Sequence, residues 1–139
     1  MVTRRRERRA RARALQALYA CDMRGGESLD RVAGHVFDDL AVAPEERALA
    51  EALIRAVTDG GKVIDESLEA VTANWRLARI GAIERSLLRL AAAELTRGDT
   101  PPRVVLQEAV RLAERFGGME SARFVNGVLD ALARRMGRL

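Results

Sequence analysis

Apolar residues recur at three- and four-residue spacing almost from end to end of the chain, and nowhere alternate with polar residues as in a half-buried strand. An all-α fold follows. The cleanest stripe is Leu29, Val32, Ala33, Val36, Phe37 and Leu40, with Ser28 placed to cap its first turn, after a break at Arg24-Gly25-Gly26. Pro44 suits a helix start, and Leu49, Leu53, Ala56 and Val57 carry that stripe to Gly60-Gly61. Val63, Ile64, Ser67, Leu68 and Val71 predict a fourth helix, and the phase is lost around Asn74-Trp75, which marks a connection. The fifth turns Ile80, Ile83, Leu87, Leu90 and Ala91 inward and stops at Gly98, before Pro101-Pro102. The sixth carries Val105, Ala109, Leu112, Ala113 and Phe116 to Gly117-Gly118. The last has Ser121 as its cap and Val125, Val128, Leu129, Leu132 and Met136 inward, giving about seven helices with short joints. Asn126-Gly127 would signal a hairpin between strands, but the helical stripe resumes in phase on both sides. The glycine reads as a close packing point that costs about 1 kcal/mol against alanine.

With 139 residues, 48% of them hydrophobic, residues 1–139 form one helical domain with room for a core but not for separate cofactor and substrate domains. One cysteine, Cys21, and one histidine, His35, leave disulfide frameworks, clustered zinc ligands and Cys-His or Ser-His catalysis without parts. Cys21 reads as a small core filler and His35 as a surface residue on the polar flank of its helix. The glycine pairs read as helix stops, and no carboxylate pair is set for acid–base work, so no enzyme, cofactor or metal site is expected. The longest uncharged run, Ala14 to Cys21, falls far short of the roughly 20 residues of a spanning helix, and the basic start lacks the apolar block of a secretory signal. The chain reads as cytoplasmic.

Charge is unevenly placed. Residues 1–13 carry Arg4, Arg5, Arg6, Arg8, Arg9, Arg11 and Arg13 against Glu7, a net +6 in a chain of net +4, which leaves −2 for the other 126 residues. A coding preference explains arginine over lysine, Lys62 being the single lysine, but it does not gather seven arginines in thirteen positions. Such an arm suits a polyanion. As one helix over residues 4–22, Ala10, Ala14, Ala17, Leu18 and Cys21 cluster within about 100° of arc as a narrow docking face, and arginines cover the rest. Tyr19 projects about 20° from Arg8 and about 40° from Leu15 and Arg5, so it lies on the basic face. Guanidinium groups neutralise phosphates, and an exposed ring stacks unpaired bases at about 1–3 kcal/mol each, which favours single-stranded RNA over duplex DNA. Tyr19 serves either as that platform or as a half-buried neighbour of Leu15.

Three stretches resemble the bacterial NusB family of transcription antitermination factors. They are the arginine cluster followed by Ala14-Leu15-Gln16-Ala17-Leu18-Tyr19; Ile80-Gly81-Ala82-Ile83-Glu84-Arg85 with Leu88-Arg89-Leu90-Ala91 and Glu94-Leu95; and Pro101 through Glu108-Ala109-Val110-Arg111-Leu112-Ala113 and Phe116-Gly117 to Phe124-Val125-Asn126-Gly127-Val128-Leu129-Asp130. Order and spacing match over nearly the whole chain. The resemblance implies two packed helical bundles and no catalysis. It also implies binding of boxA-type single-stranded RNA together with the ribosomal small-subunit protein NusE, and entry into the RNA polymerase antitermination complex during ribosomal RNA transcription. By the same resemblance Arg5, Arg6, Arg8, Arg9 and Tyr19 contact RNA, Glu120, Arg123 and Phe124 add to that surface, and Glu84 contacts the partner protein. Departures from the family pattern are Glu120 for a common aspartate, Gln107 for asparagine, Ala93 for an aromatic and Thr72 for a tyrosine near RNA.

Blander readings of these residues stand beside that one. Phe124 suits a core as well as a surface, Glu120 favours a helix start through the dipole, and Glu84 reads equally as a solvated carboxylate. The arm itself suits a non-catalytic helical protein that self-associates as a homodimer. A helical module of this kind also precedes RNA methyltransferase domains, for which no cofactor-binding sheet follows Leu139.

Overall fold

The computed structural model describes residues 4–72 and 76–139, and these form six α-helices: α1 (Arg4–Arg24), α2 (Leu29–Asp39), α3 (Pro44–Val71), α4 (Ala82–Arg97), α5 (Pro102–Gly117) and α6 (Met119–Arg135). A single 3₁₀ turn, Leu77–Arg79, precedes α4. The expected third and fourth helices are continuous as α3, but Gly61 breaks the helical path with φ 44° and ψ −126°. That conformation lies in the region closed to residues with a Cβ, so the glycine pair kinks the helix where a stop was expected. The connection expected at Asn74-Trp75 lies outside the described residues.

Helices α1, α2 and α3 pack as one bundle and α4, α5 and α6 as a second, joined where α1 and α3 lie against α4. Both bundles share one apolar cluster that includes Phe37, Ile54, Leu68, Leu88, Leu95 and Leu129, all almost fully buried. The stripes read from periodicity supply most of it, and three of their members do not: Leu40, Val63 and Met136 are exposed. Leu40 and Met136 cap their helices, and Val63 lies two residues past the Gly61 kink, where helical phase no longer extrapolates.

Two further local readings change. Gly118 is the cap of α6, and Ser121 lies inside its first turn, where its hydroxyl donates to a carboxylate of α4 and its oxygen lies 3.2 Å from the Gly117 carbonyl. Gly127 is in helical register as expected, yet a Cβ built there meets nothing within 4 Å, so it is not a packing point. His35 is exposed, as its polar flank requires.

Candidate nucleic-acid interface

Helix α1 forms because five alanines between positions 10 and 20 favour it and because its neighbours bury it on most sides. Ala10, Ala14, Ala17 and Leu18 are buried as expected, and Cys21 is half-buried. Ala12, Leu15 and Arg11 are buried too, so the docking face is wider than projected and the arginines do not cover all the rest. Arg11 donates from Nε to Glu94 Oε1 at 2.7 Å and from Nη2 to Oε2 at 3.2 Å. Burial alone would lower its pKa, but the hydrogen bond to Glu94 and the charges of Glu94, Glu108 and Glu7 push it up, so the guanidinium stays charged inside the fold.

Three more arginines of the arm are matched within the molecule. Arg8 Nε donates to both oxygens of Glu108, at 3.0 and 3.1 Å, and that carboxylate is only 8% exposed. Arg6 pairs with Glu45 at 2.6 Å, and Arg13 with Glu46 at 3.5 Å and with Gln16 Oε1 at 2.6 Å. Arg5 and Arg9 are exposed and have no carboxylate partner among the described residues. With Arg6 they wall a cleft of about 420 Å³ against Pro44, Glu45 and Glu46 at the start of α3.

Tyr19 is 36% exposed, on the same side of α1 as Arg5 and Arg9, a strip interrupted by the buried Ala12. The strip's direction is fixed by two ion pairs: Arg11 meets Glu94 near the end of α4, and Asp22 meets Arg85 near its start. Helix α4 is therefore antiparallel to α1. Glu84 lies beside Gly117, where a Cβ would sit 3.3 Å from Glu84 Oε2, so the start of α4 also adjoins the end of α5. Tyr19 is roughly 16 Å along the axis from Arg8, toward that end.

A groove of about 370 Å³ opens there, lined by Arg79, Ile80, Glu84, Glu120, Ser121 and Phe124. The structure thus brings Glu84, Glu120 and Phe124 together, with Tyr19 toward the same end of the molecule, and places Arg5, Arg6, Arg8 and Arg9 at the other end of α1. Phe124 is half-buried against the core, whereas Glu120 and Arg123 are exposed. Glu84 is not a freely solvated carboxylate, because Ser121 Oγ donates to its Oε2. Periodicity does not single out Arg79, Ile80 and Ser121 for this groove, since contacts between separate helices leave no mark on local spacing. Thr72 is buried and donates from Oγ1 to the Leu68 carbonyl at 3.0 Å. Burial raises the pKa of the Cys21 thiol, Asp22 and Glu27 add to this against Arg24, and the group stays protonated near neutrality. Among the described residues no cluster of metal-ligating side chains occurs, and no helix is long and apolar enough to cross a membrane.

The sequence model of the NusB family matches residues 8–134. The transcription antitermination protein NusB of Anaeromyxobacter dehalogenans strain 2CP-1 is 44% identical over 129 residues, 92% of this chain and 90% of that protein. NusB of Sorangium cellulosum is 42% identical over 130 residues, 93% and 92% of the two chains. Among solved structures, T. maritima NusB superposes with a TM-score of 0.85 at 31% identity, covering 96% of this chain and 93% of that one. A crystal structure of the antitermination factors NusB and NusE in complex with double-stranded RNA gives 0.85 at 27% identity, covering 96% and 99%. A match over nearly the full length, in sequence and in helical arrangement alike, makes this chain a member of the NusB family.

Proposed function

We propose that this chain is a transcription antitermination factor that holds boxA-type single-stranded RNA along the open strip of α1, together with NusE, and joins the RNA polymerase antitermination complex during ribosomal RNA transcription. The observation that carries this reading is the pair Arg5 and Arg9, exposed and without carboxylate partners among the described residues, on the side of α1 that bears Tyr19. Unneutralised guanidinium groups release counterions from phosphates, and the ring supplies a platform for an unpaired base. Family membership and the similar NusB–NusE complex with RNA support the pairing of these two partners. In the groove Glu84 meets the partner protein while Glu120, Arg123 and Phe124 at the start of α6 add to the RNA surface, and Arg6 and Arg8 reach RNA only in competition with Glu45 and Glu108. The chain acts by binding and carries out no reaction.

The test is anisotropy of labelled boxA RNA, single-stranded and as a duplex, with and without NusE. Preference for the single strand, tightened by NusE and lost in an R5E/R9E variant, is expected. Equal affinity of that variant would contradict the reading. Self-association through the basic arm is the second reading; light scattering that finds a dimer unchanged by RNA would support it instead.

A further inference from the structure

Between Arg9 and Tyr19 that side of α1 offers no unmatched cation among the described residues: Ala12 and Leu15 are buried, Gln16 accepts from Arg13, and Arg13 is paired with Glu46. A stacked strand crossing that interval of roughly 15 Å brings about four phosphates. Helix α5 meets α1 at one end of the gap, through Glu108. It runs parallel to α1, since both are antiparallel to α4, and the Arg8–Glu108 pair ties the two together at one end of the interval. Beyond Glu108, Arg111 and Arg115 project about 60° and about 20° from it, roughly 4 and 10 Å further along the axis. Both are exposed and have no carboxylate partner among the described residues. Arg115 lies over the Phe116 ring, 4.8 Å from its centroid, which orders the guanidinium without neutralising it.

We propose that Arg111 and Arg115 contact the phosphates of bound single-stranded RNA between the arginine end of α1 and Tyr19, so that α5 forms the second wall of one continuous track. The α5 wall rests on the RNA-binding reading above, and it explains how cations at one end and an aromatic ring at the other serve the same strand. Phosphates need charge and not a planar fork, so lysine replaces either arginine without loss.

The experiment measures anisotropy of a fluorescein-labelled single-stranded RNA of mixed sequence across a salt series. The full chain is compared with R5E/R9E, R111E/R115E and R111K/R115K variants, each checked for native helicity by circular dichroism. R111E/R115E is expected to weaken binding about tenfold and to flatten the slope of log affinity against log salt by about 1.4, while R111K/R115K keeps wild-type affinity and NusE binding is unchanged. If R111E/R115E binds as wild type while R5E/R9E is weakened, the α5 wall is overturned and RNA binding by α1 stands. If neither charge reversal weakens binding, both fall. A lysine variant as weak as the glutamate variant also overturns the phosphate role.

Discussion

Seven arginines stand close together in the sequence and do different work. Arg11 is sealed against Glu94 with both carboxylate oxygens engaged. Removing one member of a buried pair leaves the other charge desolvated, so Arg11→Met should cost about 3–5 kcal/mol in urea unfolding, most of it recovered by adding Glu94→Leu. Arg8 shields a buried Glu108, and Arg8→Ala should cost about 1–3 kcal/mol, whereas Arg5→Ala and Arg9→Ala should stay within about 0.5 kcal/mol of wild type. Affinity for RNA should follow the opposite order, with the stability-neutral positions mattering most. Cys21 gives a pH-dependent check. Its raised pKa means the folded chain keeps the thiol proton longer than the unfolded chain does, so the stability this contributes is complete below the unfolded pKa and is lost as pH rises through the folded one. Alkylation of Cys21 should therefore reach half its maximal rate at higher pH than alkylation of a cysteine peptide; an equal or lower midpoint would refute the assigned burial and acidic neighbours.

At the level of the helices, two glycines that look alike in the sequence have opposite consequences. Gly61 adopts φ 44° and ψ −126° at the kink of α3, so Gly61→Ala should destabilise by about 1–3 kcal/mol. Gly127 sits mid-helix in open space, so Gly127→Ala should stabilise by about 1 kcal/mol in thermal unfolding. Helical periodicity made the elements legible, and Gly98, Pro102 and Gly117-Gly118 marked real boundaries because each acts through its own backbone. It did not separate a stop at Gly60-Gly61 from a kink, since either outcome begins with the same loss of helical preference. Nor did it explain Gly127, where the cost of a helical glycine is visible but the neighbouring space is not. Local pattern offers Ser121 as a cap for a related reason: its partner, Glu84, belongs to another helix.

Across the whole molecule, the basic end was legible because net charge can be counted along a chain. Which of those charges stay available was not, because Arg8 meets Glu108, 100 residues away, and Arg11 meets Glu94, 83 residues away. The groove that gathers Glu84, Glu120 and Phe124 is likewise a product of how α4, α5 and α6 meet, and family resemblance reached those residues where local pattern could not. The two helical bundles thus fix a strip of α1 with arginines at one end and Tyr19 toward the other. Ultraviolet crosslinking of bound single-stranded RNA, followed by tryptic mapping, reads the occupant of that strip directly. Crosslinks on the peptide between Arg13 and Arg24, at Tyr19, are the predicted result; efficient crosslinks confined to other parts of the chain, undiminished by R5E/R9E, would contradict the account.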